Sequence, residues 1–168
     1  MTPFIFLHEV LSQKEDFITY LRQFDTKVAE NKNQTRPYVG IVLEVNSVKY
    51  YAPFSSPKPK HKKMKNGKDF RKINNGLYGA INFNNMIPVL DSALIEIDIA
   101  NITDVKYRRL LQNQYNSIKA DEKGILKTAE KLRKLIFDAE TNLSAHDKVI
   151  KQRCCDLVLL EEKYIEWK

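Results

Sequence analysis

The chain has 168 residues, long enough for a single domain with its own hydrophobic core. Its hydrophobic fraction of 43% is ordinary, no apolar run approaches membrane-spanning length, and its two cysteines are neighbours, which excludes a helical membrane span, a disulfide scaffold and a cysteine-based zinc module. The formal charge of +7 is unevenly placed: residues 36–72 hold ten cations against Glu44 and Asp69, while the rest is close to neutral, a distribution that suits a polyanion, either nucleic acid or an anionic membrane surface.

In chain order, Phe4-Ile5-Phe6-Leu7 reads as a short first strand. It breaks at His8-Glu9 and has neither a basic leader nor a small-residue cleavage site, so no signal peptide is expected and the expected location is the cytoplasm. Residues 13–24 fit a helix through Phe17, Ile18, Tyr20, Leu21 and Phe24, with Ser12 as its cap. A polar stretch follows, and Arg36, directly before Pro37, is biased toward extended backbone. Residues 38–45 and 48–54, joined by Asn46-Ser47, predict the clearest hairpin in the chain. Its near-continuously apolar first arm predicts a central strand, and Pro53 predicts that pairing ends, or runs along an edge, just before Ser55.

Next comes Phe54-Ser55-Ser56-Pro57-Lys58-Pro59-Lys60-His61-Lys62-Lys63. Its alternating prolines fix φ and remove two donors, predicting a stiff, exposed, strongly positive loop outside any helix interior. Residues 66–76 are turn-rich; strands are expected at 78–83, 86–90 and 94–99, and their short links point to an antiparallel sheet. From Asp104 the period turns helical, with helices expected over 104–121, 125–136 and 146–155 and a last one from Leu157. The expected fold is α+β, one domain over residues 1–168: a compact twisted antiparallel sheet, partly barrel-like, with additional helices mostly in the C-terminal third. Cys154 and Cys155, adjacent on a helix, are expected to be buried free thiols.

No Walker loop, dinucleotide glycine pattern, HExxH or metal-binding set of acids is present, so no cofactor or metal is expected. RNA cleavage without a metal remains available, because the ribose 2′-OH is an internal nucleophile already beside the phosphorus. Such an enzyme orients that hydroxyl, stabilises the extra negative charge and protonates the leaving 5′ oxygen, which calls for cations, hydroxyls and a histidine. Ser55 and Ser56 supply hydroxyls and Lys58 a compact cation. Residues about ten before and ten after a turn meet across a hairpin, so Arg36 pairs with Ser56, bringing a planar fork that matches phosphate oxygens. His61 reads either as a general acid or base or as one more RNA contact. Lys60, Lys62, Lys63 and Lys65 read as grips on the RNA backbone. Tyr38, Tyr50, Tyr51 and Tyr78 are candidates for base stacking, although strand aromatics more often belong to the core.

With those residues in hand, a resemblance appears. Arg36-Pro37-Tyr38-Val39-Gly40-Ile41-Val42-Leu43-Glu44 and Ala52-Pro53-Phe54-Ser55-Ser56-Pro57-Lys58 resemble the ToxN/AbiQ endoribonuclease toxins of type III toxin–antitoxin systems. Matching pieces follow in order: Phe24-Asp25 with Lys27-Val28, Asn82-Phe83 with Met86-Ile87-Pro88-Val89, Tyr107-Arg108-Arg109-Leu110-Leu111, and Leu159-Leu160-Glu161-Glu162-Lys163-Tyr164. The resemblance implies a sheet like those of the Kid, MazF and CcdB toxins. It implies metal-independent cleavage to a 2′,3′-cyclic phosphate and a 5′-hydroxyl, with cellular and phage RNA as substrates. It also implies inhibition by a small structured antitoxin RNA that the toxin cuts from a repeat transcript, in a closed protein–RNA hetero-oligomer, with growth arrest and abortive phage infection as outcome. By motif match the family's essential hydroxyl falls on Ser56, with Ser55 before it, the loop lysine on Lys58 and the basic residue before the long strand on Arg36. Lys27 and a tyrosine, Tyr107 or Tyr115, are carried over as further RNA contacts. The competing reading is a non-catalytic RNA-binding module using the same patch. A membrane-surface role lacks an apolar insertion element beside the lysines.

Overall fold

The computed structural model describes residues 10–31 and 37–168, so the strand expected at 4–7 and Arg36 lie outside the described residues. The strands are β1 (Val10–Gln13), β2 (Tyr38–Val45), β3 (Val48–Ser55), β4 (Phe70–Lys72), β5 (Ala80–Asn82), β6 (Ile87–Pro88) and β7 (Leu94–Ile97). The helices are α1 (Glu15–Arg22), α2 (Pro59–Lys63), α3 (Val105–Ala120), α4 (Glu122–Phe137), α5 (Ala145–Arg153) and α6 (Leu157–Lys163). The sheet runs β4-β5-β3-β2-β1-β7, with β6 also on β3, and all described pairings are antiparallel. It curls into a half-barrel with helices beside it, an α+β fold as expected.

The hairpin β2–β3 is where the sequence placed it. Asn46 and Ser47 both take positive φ, 51° and 68°, the left-handed pair that lets a two-residue turn follow the twist of its strands. Pairing starts as Val45↔Val48 and Leu43↔Tyr50 but resumes past an irregularity as Val39↔Ala52 and Tyr38↔Pro53. β2 therefore carries two extra residues. The Phe54 N–H donates to the Pro37 carbonyl at 3.2 Å, whereas equal counting from the turn would set Pro37 against Ser56.

Pro53 does not put β3 on an edge. The outer side of β3 pairs with β6 at Tyr50 and Tyr51 and with β5 at Phe54 and Ser55. Pro53, which has no N–H, falls in the gap between the two partners, where no donor is needed.

The first helix is shorter than its apolar pattern predicts. Ser12 and Gln13 belong to β1, which pairs along β7 and touches β2 at Leu11↔Tyr38. α1 starts only after Lys14, without a side-chain cap, and Ser12 is not its cap. Phe17, Ile18 and Leu21 are its buried face. Among the later helices, Asp104, Ser144 and Asp156 cap α3, α5 and α6 by accepting from backbone N–H groups of their first turns. Leu111, Ile118, Ile125, Ala129, Leu132, Ile136, Leu157 and Leu160 join the sheet residues in one hydrophobic cluster. Cys154 and Cys155 are buried and unbridged, just past the end of α5, and burial pushes the Cys154 thiol up to about 12 and Cys155 higher still. Among the described residues no helix is long and apolar enough to cross a membrane.

The segment leading into β4 is tied to the helices by charge. The Arg153 guanidinium donates through Nε and Nη2 to both Asp69 oxygens at 2.6 and 2.7 Å, and Arg71 grips Asp121 in the same way at 2.5 and 2.7 Å. Lys68 pairs with Asp147 at 2.5 Å. The Arg71 fork lies against Gly124, where an added Cβ would stand 2.1 Å from Nη2. Asp69 is only 4% exposed, so removing its partner, or it, strands a charge or breaks two charged hydrogen bonds. Asp69→Ala is expected to cost about 2 kcal/mol in a urea unfolding experiment. Lys68→Ala, at a more exposed pair, is expected to move the urea midpoint less than Asp69→Ala does.

Candidate active site

The basic stretch is built on the end of β3. Ser55 is the last strand residue, half-buried and paired with Ala80; Ser56, Pro57 and Lys58 leave the sheet exposed. The expected stiff loop is then replaced, from Pro59, by the short helix α2. Proline at the first helical position costs nothing there, because its missing N–H has no intrahelical partner anyway and its φ is already helical. That is why alternating prolines did not exclude a helix.

His61 makes this turn possible. It is 2% exposed. Its backbone N–H donates to the Lys58 carbonyl at 2.9 Å, and its ring Nδ1 accepts from the Lys58 N–H at 3.2 Å. This is the reciprocal arrangement usually made by a glutamate or glutamine at that helix position. The ring packs 5.8 Å from that of Phe70. His61 was expected to act on RNA directly; buried and committed through Nδ1, it instead fixes the backbone of Lys58. Burial first, then the charges of Lys58 and Lys60, hold its pKa below the ordinary value.

Around this buried histidine, Lys58, Lys60, Lys62, Lys63 and Lys65 are all exposed and have no carboxylate partner among the described residues. By contrast Lys49, Lys68 and Arg71, counted in the same positive segment, are spent on Asp91, Asp147 and Asp121. Among the described residues the cations of this segment left without a carboxylate partner are thus the five over 58–65 and Lys72.

Two backbones press against the serines. At Gly79, with φ +99°, an added Cβ would lie 1.8 Å from the Ser55 carbonyl oxygen and 3.1 Å from the Ser56 carbonyl carbon. At Gly76, with φ +88°, it would lie 2.7 Å from the His61 carbonyl oxygen. The turn over Asn74–Gly76 therefore packs on α2, and Gly79 on the serines. From the helical side, Gln114 of α3 donates through Nε2 to the carbonyls of Ser55 at 3.2 Å and Tyr78 at 2.7 Å. No sequence signal pointed to Gln114. The one that could have is a polar residue on the Leu111–Ile118 face, where an apolar one is due.

The other expected site residues are more scattered. Tyr38 is 1% exposed, so its ring is core and offers no face to a base; Tyr50 and Tyr51 are buried likewise. Lys27 pairs with Asp25, donates to the Gln152 carbonyl and borders a cavity of about 480 Å³ that Cys154 and Cys155 also line. Among the described residues no contact links it to the serines. Tyr107 and Tyr115 are half-buried on α3, and burial raises the Tyr107 pKa. Among the described residues no cluster of His, Cys, Asp or Glu could hold a metal ion.

A curled antiparallel sheet whose central strand ends in two serines beside a cationic helix presents a surface suited to a polyanion. The comparisons make that specific. Residues 9–165 match the family model for toxin ToxN of type III toxin–antitoxin systems. The chain is similar to Endoribonuclease ToxN of Pectobacterium atrosepticum, 32% identical over 158 residues, which span 88% of this chain and 86% of that one. It is similar to a solved structure of a type III system in which a non-coding RNA pseudoknot selectively inhibits the toxin, with a TM-score of 0.81, 33% identity and coverage of 94% and 96%. It is also similar to the structure of AbiQ, a lactococcal anti-phage endoribonuclease of a type III system, with a TM-score of 0.77, 25% identity and coverage of 94% and 96%. The chain belongs to the ToxN family of endoribonuclease toxins.

Two outcomes follow from the packing. Because the folded pKa of His61 lies below its unfolded value, the unfolded chain binds more protons between the two. This contribution to stability is therefore complete above about pH 6.5 and is lost as pH falls from there toward the folded value. His61→Gln keeps an acceptor and cannot titrate, so its urea midpoint should fall less than that of the wild type between about pH 7.5 and pH 5.5. Equal falls would detach His61 from the effect. Gly79→Ala should be recovered mostly unfolded or inactive, checked by circular dichroism and RNA cleavage, because the new Cβ has neither room nor a permitted φ.

Proposed function

We propose that the chain cuts RNA by internal transesterification, without a metal, and that its cutting site is the Ser55–Lys58 segment completed by Arg36. The observation that carries this reading is the placement of Ser56 and Lys58, exposed and separated only by Pro57, between a rigid strand end and Lys60, Lys62, Lys63 and Lys65, four lysines with no carboxylate partner among the described residues. The lysines hold the phosphate backbone and bring the scissile phosphate against the serines. Ser56, with Ser55 beside it, orients the 2′-OH or a phosphate oxygen by hydrogen bonding. The 2′ oxygen then bonds to phosphorus as the bond to the 5′ oxygen breaks. The 2′-OH proton is taken up and a proton is delivered to the 5′ oxygen, leaving a 2′,3′-cyclic phosphate and a 5′-hydroxyl. Lys58 and Arg36 stabilise the charge that builds on the phosphorane, and the guanidinium keeps its protons throughout.

The partner is a small structured antitoxin RNA, processed by the toxin from a repeat transcript and held with it in a closed protein–RNA assembly; the biological outcome is growth arrest and abortive phage infection. Support comes from the similar toxin inhibited by an RNA pseudoknot and from the similar anti-phage endoribonuclease AbiQ. Tyr107 and Tyr115 contribute to the RNA groove, and action is in the cytoplasm.

Incubation of the purified chain with an RNA transcript in excess EDTA is expected to give fragments ending in cyclic phosphate. RNA that is shifted in a gel but stays intact would instead mark a non-catalytic RNA-binding module. Ser56→Ala should abolish growth inhibition while leaving antitoxin-RNA affinity within about threefold, roughly 0.7 kcal/mol. Replacing Lys62, Lys63 and Lys65 together should weaken RNA binding and flatten its logarithmic dependence on salt by about 2 to 3. An unchanged slope would place these lysines off the interface.

A further inference from the structure

Gln114 stands in a position where the helix pattern calls for a hydrocarbon. It lies one turn from Leu111 and one turn from Ile118, both buried, and is itself 1% exposed. A buried primary amide without partners costs about 1–3 kcal/mol, so its retention has to be explained by what it bonds. Its Nε2 serves two backbone carbonyls from different segments, Ser55 at 3.2 Å and Tyr78 at 2.7 Å.

Those two carbonyls belong where the ladder stops. Ser55↔Ala80 is the final pair between β3 and β5, and Tyr78 lies two residues before Ala80. Gly79, between them, touches the Ser55 carbonyl so closely that no side chain fits. At this last rung the amide of Gln114 adds a side-chain donor to the Ser55 carbonyl and ties it to the Tyr78 carbonyl of the neighbouring segment. The Ser55 hydroxyl adds only a long contact, 3.5 Å, to the Ala80 carbonyl. The orientation of the Ser55–Ser56 peptide unit is thus held from two sides, by the Gly79 backbone and by the Gln114 amide, and the direction in which Ser56 projects follows from it.

We propose that Gln114 is a positioning residue for cleavage: by holding the Ser55 carbonyl it sets the aim of the Ser56 hydroxyl, without touching RNA itself. The proposal rests on Ser56 lying at the cutting site. A misplacement of about 1 Å at such a site costs on the order of a hundredfold in rate, whereas RNA affinity, carried by the lysines of residues 58–65, has no reason to change.

The test uses the full-length protein in excess over a long mixed-sequence RNA transcript, so that the saturating cleavage rate and the half-saturating protein concentration are read separately. Gln114→Met, which keeps length and bulk but donates nothing, is expected to lower the saturating rate by about tenfold to a hundredfold and to move the half-saturating concentration less than about threefold. Ile118→Ala, which opens a cavity on the same helix face, is expected to lower the thermal midpoint at least as much and to keep the saturating rate within about twofold. If Gln114→Met does not fold, Gln114→Asn, whose amide is drawn back by one methylene, is read the same way. A saturating rate within twofold of wild type in the folded variant, or an equal loss in Ile118→Ala, overturns the proposal. Ser56→Ala in the same assay separates the two ideas. If it cuts like wild type, the assignment of the site has failed; if it is inactive while the Gln114 variant is fully active, only the role of Gln114 has failed.

Discussion

A strand inside a sheet needs hydrogen-bond partners along both edges. β3 meets that need with β2 on one side and, on the other, with two short strands that do not overlap, β6 at Tyr50 and Tyr51 and β5 at Phe54 and Ser55. The proline between them has no N–H that needs an acceptor and so permits the exchange of partners. The serine-bearing end of β3 inherits its place from this arrangement: Ser55 is held because β5 takes over the edge for the last two residues of β3, and Ser56 is exposed because β5 ends there too. The ion pairs of Asp69, Arg71 and Lys68 with the C-terminal helices hold β4, and through it β5, against the body of the protein.

Much of this was readable beforehand, and for identifiable reasons. The hairpin followed from β-branched runs around a polar dipeptide, and the four C-terminal helices from clean apolar spacing; both are local signals that tertiary structure had no cause to override. The cationic stretch and its two serines were visible as composition. Apart from the short helix α2, which a proline at its first position hid locally, what failed was mostly what depended on a partner distant in sequence. Ser12 and Gln13 look like a helix start until β7 arrives beside them. Tyr38 looks like a strand aromatic with a free face until the sheet curls over it. Equal counting across the hairpin ignored two residues absorbed within β2, a slip that no spacing rule announces.

His61 and Gln114 illustrate the same limit at the site. Each was hidden by its residue type. A histidine among lysines reads as chemistry at neutral pH, yet its ring is turned inward as a helix cap. A glutamine on a long helix reads as surface, yet its amide holds two carbonyls beside the end of a strand ladder. In both cases the side chain bonds backbone at the end of an element: the N–H before the helix, the carbonyls beside the last rung of the sheet. Such roles are recognisable only when the backbone group concerned is known.

The helical form of residues 59–63 has a consequence for how evolution can alter this surface. Around an α-helix, consecutive side chains are turned by about 100°, so with His61 facing inward, Lys60 and Lys62 diverge to either flank and Lys63 points away from the core. The cations are spread like the ribs of a fan, not lined along one rail, and polyanions approaching at different angles meet a comparable charge. A change at any one rib therefore removes one charge and leaves the directions of the others as they are, whereas a change at the imidazole, the pivot of the fan, would reorient every rib together.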